Sequence, residues 1–147
     1  MNSADTHNLA RFIGAQQRIY EKALAEIRNG YKQTHWMWFI FPQIDGLAES
    51  FTSEIYAIKS LDEANAYLAH PILGFRLIEC TDAVLGIEGK TASDIFWHPD
   101  DMKLKSCMTL FACVSAEASI FKRVLDKYYQ GQTDEKTLQM LRCIGGG

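Results

Sequence analysis

Apolar residues recur at helical spacing along most of the chain. Between Asn8 and Asn29 they fall largely three or four positions apart, and Gly30 stands where a helix would end. The apolar positions of this segment are Leu9, Phe12, Ile13, Ile19, Tyr20, Ala23, Leu24 and Ile27. Several remaining positions are charged, which is typical of a solvated helix face. The pattern predicts a first helix over residues 8–29.

Capping signals divide the middle of the chain into shorter helices. The S-x-x-E sequence at residues 60–63 is typical of a capping box and predicts a helix over residues 61–69. The residue before a proline avoids the helical conformation, whereas proline itself is favoured at the first helical position. We therefore expect that helix to end near His70, and the next to begin at Pro71 and stop near residues 86–89.

The rest of the chain also favours helices. Helices are predicted over residues 47–58, 120–129 and 133–141, and a short helical turn over residues 91–97. A further helix begins at Pro99 and has almost no polar face up to Val114, which predicts burial on most sides. These segments predict an all-α (mainly α) fold: a single compact orthogonal multi-helix domain of about seven to nine helices. We expect the domain to span residues 1–147, with an ordered core over about residues 8–142 and frayed termini.

Helical spacing fails in the segment His35–Gln43, HWMWFIFPQ, which we call the aromatic block. It holds two tryptophans, two phenylalanines and one histidine. No polar residue lies between Trp36 and Pro42, so both a buried strand and a short buried helix fit the segment. Tryptophan and histidine carry polar atoms that need partners once buried, so the block either anchors a core or lines a pocket.

Composition and charge narrow the function classes. With 48% hydrophobic and 22% charged residues the chain is typical of a folded domain. The 15 basic residues are scattered among 18 acidic ones, so we expect no nucleic-acid partner. The four cysteines have no C-x-x-C spacing, which argues against a metal site and favours a reducing compartment. A leader segment, a long apolar run and the common cofactor motifs are all missing. We therefore expect a cytoplasmic protein with no membrane partner and no cofactor.

Three polar residues are candidates for catalysis: His35, Lys103 and Ser106. Imidazole titrates near neutral pH, so His35 can act as a general acid or base, or it can simply cap the aromatic block. Lys103 and Ser106 are three residues apart and share a helix face. A lysine shielded from water can activate a neighbouring hydroxyl as a nucleophile. The alternative is a lysine that reaches solvent and a serine bonded to its own helix.

Several blocks of the sequence resemble the bacterial family known as domain of unknown function 1810. The blocks are residues 35–43, 46–47, 56–58, 66–74, 76–77, 103–106 and 108–111. The resemblance extends from about Leu9 to Leu141, and it implies a compact, mainly α-helical domain with no established activity. Members often carry the label calpastatin, an inhibitor that resembles a long disordered repeat chain. Because this chain is short, aromatic-rich and capped throughout, we regard that label as a mistaken transfer.

The family pattern also bears on individual residues. Ala48 and Trp97 stand where glycine is usual in the family, and Cys107 stands where serine is usual. Polar residues kept beside aromatic ones suggest a pocket more than a pure core. The polar members of the blocks are His35, Gln43, Ser50, Ser53, Tyr56, His70, Arg76, Asp101, Lys103 and Ser106. The residues we expect to bind a ligand are Trp36, Trp38, Gln43, Tyr56, Arg76 and Asp101.

Three functions fit the sequence. The first is a small-molecule pocket beside the aromatic block, where Trp36 or Trp38 stacks on a planar or sugar-like ligand and Arg76 or Lys103 meets an anion. The second is a helical module that binds a protein partner through an exposed apolar groove. The third is a folded domain in which the aromatic block is only core. Scattered positions of the polar candidates would argue against the first, and a fully polar surface against the second.

Overall fold

Helices make up most of the part of the chain that this computed structural model describes, residues 5–47 and 50–145. In chain order the ten helices are α1 (Ala10–Gln16), α2 (Tyr20–Arg28), α3 (Met37–Ile40), α4 (Phe51–Ile55), α5 (Leu61–Ala69), α6 (Leu73–Leu85), α7 (Ala92–Phe96), α8 (Asp100–Cys113), α9 (Ile120–Tyr129) and α10 (Glu135–Gly145). They pack into one compact domain around a shared core. The predicted all-α class is confirmed. None of the described helices is long and apolar enough to cross a membrane.

The segment predicted as one first helix forms two helices, α1 and α2, so that prediction was wrong. The break follows Gln16, whose amide is buried and donates to the carbonyl of Phe39 at 2.6 Å and to the Tyr67 hydroxyl at 3.1 Å. A tighter turn follows, in which the Ile19 N–H donates to the carbonyl of Gln16, three residues earlier, at 3.1 Å. Apolar positions resume at Ile19 directly after the polar residues Gln17 and Arg18, so apolar spacing alone did not reveal the break.

The aromatic block resolves as a short helix. Its helical part is the single turn α3, and Trp36 just before it is fully buried. The ring of Phe96 meets the rings of Trp36 and Phe41 edge to face, with centroids 6.3 Å and 6.0 Å apart. Edge-to-face pairs of this kind contribute beyond their buried area. The block therefore anchors the core through two of its rings, which pack on Phe96 of α7.

The helix predicted over residues 47–58 is much shorter than expected. The helical part is α4, which begins after Ser50, whose hydroxyl accepts from the Ser53 N–H at 3.1 Å. Beyond α4 the chain extends and forms an isolated parallel bridge between Ile44 and Ile58. Hydrogen bonds of the bridge use the backbone groups that a longer helix would need. Ala48, one of the departures from the family pattern, lies outside the described residues.

Most capping predictions are confirmed. The Ser60 hydroxyl accepts from the Glu63 N–H at the start of α5, and Thr91 forms a reciprocal capping box with Asp94 at the start of α7. Helix α6 ends at Leu85 and is followed by the C-cap Gly86, where the stop was expected. It begins at Leu73 and not at Pro71, because Nδ1 of His70 accepts from the N–H groups of residues 72 and 73 and holds the intervening residues as a turn.

Helix α8 lies at the centre of the domain and positions the site described below. It packs against α5, α7, α9 and α10. Its buried residues are Leu104, Ser106, Cys107, Met108, Thr109, Leu110 and Phe111. Burial on most sides was expected from the missing polar face and is confirmed. The first turn of α8 carries Asp100 and Asp101, and it is the part of the helix that faces the aromatic block.

Candidate functional site

A cleft of about 260 Å³ separates the start of the aromatic block from the junction between α7 and α8. Residues 32–33 and 35–38 form one wall, and residues 96–100 together with Lys103 form the other. This volume is near the lower end of the range for small-molecule sites, roughly 300–1,000 Å³. The walls carry lysine, histidine and aspartate side chains together with tryptophan rings. The cleft therefore combines charged and aromatic groups in a space suited to a small ligand.

Two lysines in the cleft share one carboxylate. Lys32 Nζ lies 2.9 Å from one oxygen of Asp100, and Lys103 Nζ lies 3.4 Å from the other. The side chain of Lys32 is only 8% exposed, that of Asp100 is 19% exposed and that of Lys103 is 25% exposed. Ion pairs this sheltered are screened less by salt than exposed pairs. We call these three residues the charged triad.

Each lysine of the charged triad also lies over an indole ring. Nζ of Lys32 is 5.0 Å from the ring centroid of Trp36, and Nζ of Lys103 is 5.2 Å from that of Trp38. An ammonium within about 6 Å of an aromatic face is attracted by the ring quadrupole. Trp36 is buried, whereas Trp38 is only partly buried and keeps ring surface in the cleft. The two tryptophans of the aromatic block thus differ in how much ring surface they expose to the cleft.

The buried carboxylate of Glu26 fixes the chain around Lys32 and His35. It accepts hydrogen bonds from the Gln33 N–H at 2.8 Å, from the N–H and hydroxyl of Thr34 at 3.0 and 2.7 Å, and from the Trp36 indole at 2.8 Å. Burial alone would raise the pKa of Glu26, but these four donors outweigh it and lower the pKa below its ordinary value. An ionised Glu26 therefore holds one wall of the cleft.

A histidine–aspartate pair lies at the opposite wall. Nδ1 of His98 is 3.0 Å from a carboxylate oxygen of Asp101, and the His98 ring is exposed. The hydroxyl of Tyr129 donates to the backbone carbonyl of Asp101. Burial raises the pKa of Tyr129 well above its ordinary value, so this hydroxyl keeps its proton and stays a donor. His35 is likewise exposed, on the other wall of the cleft.

Trp97 stands out by its backbone conformation. Its φ is 65° and its ψ is 159°, a region that is essentially limited to glycine. Its side chain is 51% exposed, lines the cleft and packs on Tyr31 with ring centroids 5.5 Å apart. The conformation suits glycine, the residue that the family resemblance led us to expect at this position. This chain carries the largest side chain there instead.

The structure brings together only some of the residues expected from the sequence. His35, Trp36, Trp38 and Lys103 line the cleft. Asp101 touches the cleft through His98. Gln43 and Tyr56 meet Trp38 in a separate recess of about 10 Å³, which has room for about one water molecule.

Two expected site residues have partners elsewhere in the fold. The guanidinium of Arg76 lies over the Tyr20 ring at 4.8 Å and donates to Gln16 at 3.3 Å. The hydroxyl of Ser106 donates to the Met102 carbonyl at 3.2 Å, which is the bond to its own helix that was considered as the alternative. Arg76 and Ser106 line neither the cleft nor the recess beside Gln43. Cys107 lies in the core, where burial raises the pKa of its thiol, and it does not reach the cleft either.

The residues expected from the sequence to form the site did not include Lys32, Trp97, His98 or Asp100, which all line the cleft. Lys32 lies in an irregular segment without periodicity, so nothing near it in the sequence indicates burial. Asp100 does stand one turn before Lys103, which was the available signal for their contact. Within the described residues, no group of three or more histidine, cysteine or acidic side chains is arranged to hold a metal ion.

The structure is that of a small all-α protein with a charged cleft that has aromatic side chains in its walls. The chain belongs to the family described as "Protein of unknown function (DUF1810)", which matches residues 6–141. The chain is also similar to the solved structure of the conserved hypothetical protein Rv1873 from Mycobacterium tuberculosis. The two share 46% sequence identity with a TM-score of 0.91, over 93% of this chain and 98% of that chain. The chain has no significant match among curated proteins. The family resemblance is thus confirmed.

Proposed function

We propose that the protein binds a small molecule with an anionic group, and that Lys32 and Lys103 hold this group in the cleft. One observation carries the proposal: two sheltered ammonium groups converge on a single carboxylate, that of Asp100, in a cleft with tryptophan in both walls. Burying charges costs free energy, and a fold needs no such arrangement to stay folded. A ligand-binding role accounts for it.

The charge balance of the charged triad favours an anion. Lys32 and Lys103 together carry two positive charges, while Asp100 carries one negative charge. Each ammonium has three donor hydrogens, and Asp100 engages each lysine through one oxygen. The two ammonium groups therefore keep unused donor hydrogens and a net positive charge that can bind a carboxylate or phosphate. Hydrogen bonds between ammonium groups and such anions are stronger than those between neutral groups.

Other groups of the cleft support the same ligand class. His35 and His98 line it from opposite walls, and an imidazole N–H can donate a hydrogen bond to an anionic oxygen. The half-buried ring of Trp38 offers an apolar surface beside Lys103. Pockets for small molecules commonly join a few charged groups to aromatic walls in this way. Gln43 and Tyr56 would belong to the site only for a ligand that reaches past Trp38.

Titration calorimetry with ribose 5-phosphate at low ionic strength tests the proposal. We expect saturable binding by the wild type and at least about tenfold weaker binding by Lys103→Met, which keeps the aliphatic stem and removes the charge. The matched control is Lys136→Met, an exposed lysine on α10 outside the cleft. It should bind as the wild type does. Absence of binding by the wild type, or equal binding by Lys103→Met, would overturn the proposal.

The interaction module expected as an alternative would depend on apolar side chains at the surface. Ile72, Phe75 and Ile78 are exposed at the start and along the outer side of α6, with Phe75 at 64%. They are three residues apart and lie on one face. Exposed apolar residues are common on soluble proteins, and a patch of three side chains does not indicate which kind of partner would cover it. The cleft therefore supports the better-defined proposal.

A further inference from the structure

The backbone of Trp97 is held by hydrogen bonds at the junction of α7 and α8. Its N–H donates to the Ser93 carbonyl at 2.9 Å, and its carbonyl accepts from the Asp101 N–H at 2.8 Å. Phe96 before it is buried in the core. These contacts impose φ 65° and ψ 159°, a conformation that disfavours every residue except glycine. A tryptophan at this position therefore costs free energy that glycine would not.

Packing does not explain the tryptophan. Its indole is 51% exposed, and its aromatic contact is with Tyr31, which is itself 43% exposed. A core role would bury the ring, as the fold does for Trp36. What the side chain does provide is an exposed aromatic face in the wall of the cleft that holds the charged triad. Strain kept at such a position is a common mark of a functional residue.

We propose that Trp97 is a specificity-determining residue of the cleft, which stacks on a planar ring joined to the anionic group of the ligand. This inference rests on the proposed binding of an anion by Lys32 and Lys103. The ligand class is then an aromatic anion such as a nucleoside monophosphate, with its phosphate at the lysines and its base on the indole. Indole rings stack on planar bases without needing a particular hydrogen-bond pattern, so the cleft selects planarity more than a given base.

The test compares two probes that differ in the planar ring. Adenosine monophosphate and ribose 5-phosphate share the sugar and the phosphate, and only the first carries a base. We expect the wild type to bind the nucleotide about tenfold more tightly than the sugar phosphate, as stacking of one base would give. In Trp97→Gly this preference should disappear, while affinity for ribose 5-phosphate stays within about twofold. Trp97→Phe should keep most of the preference, because a phenyl ring still stacks.

The outcomes separate this inference from the proposed function. If ribose 5-phosphate binds but the nucleotide binds no better, or if Trp97→Gly weakens both probes equally, the role of Trp97 is overturned and anion binding stands. If neither probe binds the wild type, both proposals fail. Lys103→Met serves as the second variant and should lose affinity for both probes alike. Glycine suits the backbone at position 97, so we expect the Trp97→Gly variant to fold.

Discussion

The indole N–H of Trp36 donates a 2.8 Å hydrogen bond to the carboxylate of Glu26, and both residues are buried. This bond joins the aromatic block to α2. The same carboxylate also holds Gln33 and Thr34, so a single acidic side chain determines the path of the chain into the cleft. Buried donors that lose their acceptor keep the full cost of desolvation. The stability of this wall should therefore depend strongly on Glu26.

Replacing Glu26 tests this dependence. Glu26→Ala leaves the donors of residues 33, 34 and 36 without an acceptor, and we expect a loss of about 3 kcal/mol in the free energy of unfolding. The measurement is urea unfolding at neutral pH. Glu21→Gln, an exposed position on the same helix, is the control and should change stability by less than about 0.5 kcal/mol. Equal stabilities for Glu26→Ala and the control would contradict the role assigned to this carboxylate.

The stabilisation by Glu26 should also depend on pH. Its hydrogen bonds lower the pKa of the folded carboxyl below that of the unfolded chain, which is near 4.3. A group with a lowered pKa stabilises the fold fully above the unfolded value, and this contribution is lost as the pH falls through the folded value. The advantage of the wild type over Glu26→Gln should thus be constant above about pH 5 and shrink below about pH 4.

Unfolding of both proteins between pH 3 and pH 7 checks this expectation. Other carboxyls with lowered pKa values, those of Asp5 and Asp94, are present in both proteins, and their effects cancel in the difference. An advantage that does not change with pH would show that Glu26 is not the titrating group.

The sequence predicted those parts of the fold that local chemistry determines. Ser60 and Thr91 mark helix starts because their hydroxyls accept from N–H groups three residues ahead, and that signal lies within four letters. The break after Gln16 depends instead on Phe39 and Tyr67, which are distant in the sequence. The spacing of apolar residues within one segment carries no information about contacts with distant segments.

The candidate site follows the same division. Lys103 and the aromatic block were predictable, because their residue types stand out in the sequence. Lys32 was not, because its partner Asp100 is distant in the sequence. Trp97 needed the backbone angles, since an exposed tryptophan and a buried one look alike in the sequence.

The sheltered pair of Lys32 and Asp100 should couple more strongly than an exposed ion pair. We expect a double-mutant cycle with Lys32→Met and Asp100→Asn to give a coupling energy of about 1–2 kcal/mol. The same cycle on Lys59 and Asp45, which are 3.3 Å apart with side chains 53% and 45% exposed, should give about 0.5 kcal/mol or less. Chemical unfolding of the single and double variants supplies both values. Similar coupling at the two pairs would mean that the cleft gives Asp100 no special shelter.

The strain at Trp97 can be measured apart from ligand binding. Trp97→Ala and Trp97→Gly both remove the indole, but alanine keeps a Cβ in a conformation that suits glycine. We expect the glycine variant to be more stable than the alanine variant by about 1–2 kcal/mol. Thermal and urea unfolding of the two variants give this difference. In an ordinary extended or helical position the order would be reversed, so an alanine variant of equal or higher stability would remove the argument for strain.

The charged triad also bears on how fast and how tightly a ligand would bind. Asp100 holds both ammonium groups in place before any ligand arrives, so the rotamer freedom of Lys32 and Lys103 is already lost on folding. A site ordered in advance spares the ligand that entropic penalty. Folding thus preorganises the cleft, and association of a ligand requires little rearrangement of the protein. Differences in affinity between ligands should then appear mainly as differences in residence time.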